Sequence, residues 1–207
     1  MTFYDRRSSE RRQPAMMTNP FALFSNWYTE AQNGALVNPD VVALASATRE
    51  GRPSVRMVFY RGIREGGFSF FTNYESRKGR ELAENPFAAM VFHWAHLGKQ
   101  VRIEGPVERL SSKESDLYFH QRPLQSRVTA AVSRQSHPMF DESAFLAEIR
   151  KLEQAAETTP VARPLDWGGF KLMPSRYEFW IHSDHRRHHR TLYEKDGVVW
   201  KESRLYP

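Results

Sequence analysis

Residues 41–48, 53–63, 68–73, 87–97 and 100–110 form short runs rich in β-branched and aromatic side chains, with Glu50-Gly51 and Glu65-Gly66-Gly67 among the breaks between them. A parallel crossover needs a dozen or more residues, and most of these breaks are far shorter, so the runs predict antiparallel neighbours. Five such strands in succession predict a mainly β fold: an antiparallel sheet that curls into a barrel, with helices flanking it. A helix over residues 76–84 interrupts the series and ends near Asn85-Pro86.

The flanks read differently. Residues 1–18 are polar and basic without periodicity, which predicts a mobile arm ahead of a single domain over 19–207. Asn19-Pro20 supplies an N-cap and a first-turn proline, and Phe21, Phe24, Trp27, Tyr28 and Ala31 recur at helical spacing. Ser111 to Glu114 spell a capping box, residues 123–132 a short helix, and Asp141 caps a third in which Phe145, Leu146, Ile149 and Leu152 share a face. Residues 169–181 and a hairpin over 192–205, turned at Asp196-Gly197, complete the strands.

With 207 residues, 40% of them hydrophobic, the chain is long enough to bury a core. It has no cysteine, which excludes disulfides, thiolate metal sites and cysteine nucleophiles. No apolar run reaches the roughly 20 residues of a spanning helix, and the charged start lacks the apolar centre of a secretory signal. A cytoplasmic protein that does not enter the membrane is the expectation. The net charge of +6 favours anionic partners, yet no nucleic-acid-binding motif accompanies it, so nucleic acid is not expected.

Two basic elements suggest where an anion sits. Arg77 and Lys78 open the helix at 76–84, where cations oppose the macrodipole, and anion binding explains that placement better than stability does. Near the C-terminus, Trp180 runs into Asp184-His185-Arg186-Arg187-His188-His189-Arg190, cations beside an indole face, as a flat anionic ligand would require. The four histidines from His182 to His189 alternate with arginines, which count against a metal, and none is expected. Arg56 and Arg61 bracket an apolar run inside an expected strand, where a charge needs an anion or solvent. From the residues alone, the two elements suggest a phosphorylated aromatic cofactor or substrate, with plain surface charges at Arg77 and Lys78 and a solvated basic turn at 184–190 as the alternatives.

Taken in order, Arg56-Met57-Val58-Phe59-Tyr60-Arg61, Phe71-Thr72-Asn73, Ser76-Arg77-Lys78, Gln100-Val101, Tyr118 to Pro123, Ser133-Arg134-Gln135-Ser136, Trp167 to Phe170, Glu178-Phe179-Trp180 and the ending Arg204-Leu205-Tyr206-Pro207 resemble the pyridoxamine 5′-phosphate oxidase family. The resemblance runs from Asn19 to the C-terminus. It implies a homodimer of split β-barrels with flavin mononucleotide (FMN) at the subunit interface. It implies flavin contacts from Arg56, Met57, Val58, Phe59, Tyr60, Phe71, Thr72, Arg77, Lys78, Gln135 and Ser136, completed by Gln100, Trp180 and Arg190. Arg61, Tyr118, Arg122 and Ser126 would hold the substrate phosphate, and Arg186 and His188 would meet its pyridine ring as the catalytic pair. The implied reaction oxidises pyridoxamine or pyridoxine 5′-phosphate to pyridoxal 5′-phosphate with O2. Phenazine-precursor oxidation and flavin or pyridoxal phosphate binding without turnover are the alternatives. Arg61 stands where the family commonly has lysine, a planar fork in place of a point charge.

Overall fold

The computed structural model describes residues 19–34 and 38–207. The expected arm over 1–18 lies outside the described residues. Helix α1 (Pro20–Asn33) starts as its sequence dictates: the Asn19 side chain accepts from the Phe21 N–H at 3.0 Å, and Pro20 takes the first turn.

Among the described residues ten strands follow: β1 (Val41–Ala47), β2 (Pro53–Phe59), β3 (Ile63–Arg64), β4 (Gly67–Asn73), β5 (Phe87–Trp94), β6 (Lys99–Arg109), β7 (Trp167–Leu172), β8 (Arg176–Ile181), β9 (His189–Asp196) and β10 (Val199–Leu205). Every pairing is antiparallel, in the order β10-β9-β8-β6-β5-β1-β2, with β7 joining β6 to β4 and β3. Helix α2 (Arg77–Glu84) lies between β4 and β5, and α3 (Ser112–Gln121), α4 (Leu124–Val132) and α5 (Glu142–Ala155) separate β6 from β7.

The sheet splits along β6. Its first half, Lys99 to Glu104, pairs with β8, and its end, Val107 to Arg109, pairs with β7. Gly105 sits at the fork, where a β-carbon would lie 2.0 Å from the Met173 carbonyl oxygen, so only glycine lets the departing chain pass.

Two expected strands are thereby corrected. Residues 169–181 form β7 and β8, parted at Met173-Pro174-Ser175, because Pro174 has no N–H for the ladder. The run 53–63 ends as β2 at Phe59, and a turn through Gly62, at φ +80°, leads to β3.

Helix α1 drives Phe24, 1% exposed, into the barrel. Its ring meets Phe68 and Phe92 edge-on at 4.9 Å each and Tyr60 at 5.9 Å. Losing such a side chain costs about 3–5 kcal/mol. A second cluster, Phe119, Val128, Val161 and Trp167, seats α3 and α4 beside β7. Between these two packed bodies a cleft remains.

Candidate active site

That cleft is a cavity of 710 Å³. Strand β2 lines it with Arg56 to Phe59, β4 with Phe71 and Thr72, and α2 with Arg77 and Lys78. Arg61, Tyr118, Arg122, Ser126, Gln135 and Ser136 complete the expected residues found there. Ser54, Val55, Pro123 and Trp167 also line it, although the sequence motifs did not single them out as contacts.

Lys78 is 8% exposed, and its ammonium donates to Thr72 Oγ1 and Gln135 Oε1, each at 3.0 Å, and to Ser76 Oγ at 3.3 Å. Burial, and after it the Arg56 guanidinium, brings its pKa down to about 8, against the opposing pull of Glu81. Among the described residues no carboxylate pairs with it. A buried ammonium satisfied by neutral oxygens alone is a ready partner for an anion.

Glu81 organises the other two cations. Its carboxylate accepts from Ser46 and Ser54 at 2.5 Å each, from Arg77 Nε at 2.9 Å and from an Arg56 terminal nitrogen at 3.1 Å. Burial alone would raise its pKa, but these four bonds outweigh it and hold the acid at about 2. Arg56 also donates to the Leu44 carbonyl, Ser46 and Ser54, so both its terminal nitrogens are engaged within the fold.

Part of the cavity wall is aromatic. Tyr118 lies flat on Phe71, with centroids 3.9 Å apart, and Trp167 continues the stack at 5.6 Å from Phe71. The Arg122 guanidinium covers Trp167 at 4.8 Å, and its buried Nη1 has no partner among the described residues. Burial and, secondarily, Arg61 lower the Arg122 pKa, while Tyr118 raises it. Arg61 bonds Asp40 at 3.1 Å and lies over the Phe59 ring at 4.5 Å.

Six expected residues fall elsewhere. Tyr60 turns its ring into the core between Phe24, Phe68 and Phe92, because β2 has ended and the chain bends inward toward Gly62. Gln100, Trp180 and Arg190 stand in register across β6, β8 and β9, none of them lining the cavity. His188 lies beside Trp180, with ring centroids 4.6 Å apart and the rings tilted by 41°, and its Nδ1 accepts from the Ser183 N–H at 3.2 Å. Arg186 follows His185, and both hold left-handed backbone, at φ +61° and +55°. Such geometry costs about 1–3 kcal/mol per residue and concentrates at functional sites. One chain therefore carries two separate groups of expected site residues: a cavity on β2, β4 and α2, and an open row on β6, β8 and β9.

Fold and cavity define an antiparallel split barrel with a cationic, aromatic-lined cleft. The family model described as pyridoxamine 5′-phosphate oxidase matches residues 28–156, and that described as the pyridoxine 5′-phosphate oxidase C-terminal dimerisation region matches 167–207. The chain belongs to the pyridoxamine 5′-phosphate oxidase family. Relatives named pyridoxine/pyridoxamine 5′-phosphate oxidase include one from Gluconobacter oxydans, 44% identical over 93% of this chain and 96% of the relative. Another, from Burkholderia mallei, is 48% identical over 91% and 89%. Among solved structures, PhzG from Burkholderia lata, in complex with tetrahydrophenazine-1-carboxylic acid, superposes with a TM-score of 0.86 at 34% identity, covering 91% of this chain and 93% of that one. A pyridoxamine 5′-phosphate oxidase-related, FMN binding protein from Nostoc punctiforme shares the fold, with a TM-score of 0.75 at 18% identity, covering 93% of this chain and all of that one.

Proposed function

We propose that the protein is an FMN-dependent oxidase of pyridoxamine or pyridoxine 5′-phosphate, acting as a homodimer. One observation carries the reading: the same cavity is lined by two cations without a carboxylate partner among the described residues, Lys78 and Arg122. Two anionic groups on flat ligands suit that arrangement, the cofactor phosphate at Lys78 and Arg77 and the substrate phosphate at Arg122, Tyr118, Ser126 and Arg61.

Bound FMN would supply a two-electron acceptor for the hydride from the substrate's C4′ carbon, with O2 as the final acceptor and hydrogen peroxide as its product. The remaining tasks fall to this chain. Strand β2 and Phe71 wall the flavin site, and Thr72, Gln135 and Ser136 offer polar atoms around it. Gln100, Trp180 and Arg190, supplied by a second copy, complete it. Arg186 and His188 hold the substrate ring in place, Arg186 as a positioning cation, since a guanidinium is a poor base.

The test follows peroxide and aldehyde formation with each B6 phosphate ester. Turnover of either is expected; a flavin-loaded protein that turns over neither overturns the reading. Arg186→Ala is expected to cut turnover with flavin retained, whereas Arg77→Ala is expected to weaken flavin retention. The likeness to PhzG favours a second reading, in which the flavin stays and the substrate is a phenazine precursor. Arg122, Tyr118 and Ser126 together argue for the phosphate ester instead.

A further inference from the structure

We infer that Glu81, an acid inside a site for anions, is the positioning residue of the phosphate subsite. The inference rests on the proposal that the cavity takes a phosphorylated flavin. A carboxylate here ought to repel a phosphate, and α2 would be more attractive to an anion without it. The structure nonetheless buries this acid, 5% exposed in its side chain, and gives it four donors from three elements: Ser46 on β1, Ser54 and Arg56 on β2, and Arg77 on α2.

The geometry accounts for the cost. Arg56 and Glu81 form a close pair at 3.1 Å, so the carboxylate's charge is cancelled inside the fold. Glu81 takes Arg77 by Nε, at 2.9 Å, which leaves both terminal nitrogens of that guanidinium without a partner among the described residues. The Arg77 side chain is 62% exposed, and this grip tethers an otherwise free chain over the cavity. After the internal pair is set aside, Arg77 and Lys78 remain as two positive charges, the match for a phosphate dianion. Fixing the fork in advance removes the ordering cost that a free arginine would meet on binding.

Charge and positioning predict opposite signs for Glu81→Gln, which deletes one negative charge and keeps the size. A purely electrostatic role makes FMN bind more tightly in the variant. A positioning role makes it bind more weakly, and only through the phosphate. The experiment titrates full-length, flavin-stripped protein with FMN and with riboflavin, following quenching of flavin fluorescence. Expected is a rise of about tenfold or more in the FMN Kd, the scale of one lost charge-assisted bond, with the riboflavin Kd nearly unchanged. Unchanged or tighter FMN binding overturns the inference, as does an equal loss for riboflavin. Wild-type protein that does not prefer FMN over riboflavin overturns instead the proposal beneath it. If Glu81→Gln fails to fold, Ser54→Ala gives the same reading: it keeps every charge but loosens the carboxylate, and a smaller loss confined to FMN is expected. No such loss counts against Glu81.

Discussion

Lys78 sets the pH behaviour of the site, because its pKa of about 8 lies well below the ordinary value of 10.5. The unfolded chain still holds that proton between about pH 8 and 10.5 while the folded, ligand-free chain has released it. The destabilisation from the buried charge is therefore full below pH 8 and is relieved as pH rises through that window. Anion binding runs the other way, since it needs the ammonium. Flavin titrations from pH 7 to 10 should show FMN affinity falling above about pH 8 while the melting temperature of ligand-free protein gains a rising contribution that Lys78→Met abolishes. A pH-independent difference between wild type and variant contradicts the assignment. Arg122 makes a parallel case. Its unpartnered Nη1 leaves a buried donor unmet, at a cost of about 1–3 kcal/mol, comparable with the roughly 1–2 kcal/mol gained over the Trp167 face. Arg122→Met should leave ligand-free protein no less stable by thermal melt, yet raise KM for the phosphorylated substrate about tenfold or more. Lys78 was legible in the sequence as a cation at a helix start that stability does not explain, whereas Arg122 entered only through the family resemblance. Glu81 was not legible. A spacing of four along a helix is that of any exposed ion pair, and only the fold shows β1 and β2 closing over the acid.

At the scale of elements, punctuation decided what could be read. The helices were legible from Asn19, Ser111 and Asp141, each of whose side chains accepts a backbone N–H of its first turn. The β9–β10 hairpin turns where Asp196-Gly197 placed it, with Gly197 at φ +60°. The single run assumed over 169–181 failed because its apolar pattern barely changes across Met173-Pro174, although the proline was a visible objection to one continuous strand. The need for Gly105 was invisible, because it arises from a carbonyl almost seventy residues away along the chain. It makes a clean prediction. Gly105→Ala places a methyl 2.0 Å from backbone that cannot yield, and should destabilise by about 3 kcal/mol or more. Gly51→Ala is the control: it has open space but sits at φ +82°, and should cost only about 1 kcal/mol in the same chemical-denaturation measurement. Equal losses would mean that the fork is not held by close approach.

The whole molecule leaves unfinished surfaces that a second copy would complete. Strand β2 ends the hydrogen-bonded order and presents Val55, Met57 and Phe59 outward along the cavity wall. The row Gln100, Trp180, Arg190 lies three to five strands away in that order, within or beside the region matched as a dimerisation segment. Arg190 is held ready there: buried Glu178 accepts from it at 2.8 Å and from Arg102 at 3.1 Å, and the Tyr206 carbonyl caps it at 3.0 Å. If each site takes its cavity from one copy and its row from the other, two inactive variants can repair one another. Lys78→Met spoils the cavity and Arg186→Ala spoils the row, so each homodimer is inactive at both sites. In a mixed dimer the two lesions fall together in one site, and the other site is wild type throughout. Random pairing on co-expression makes half of the dimers mixed, each half active, and turnover should return to about a quarter of wild type. Recovery no greater than the sum of the separate variants would mean that each chain builds its site alone, and the separation of cavity from row would then need another explanation.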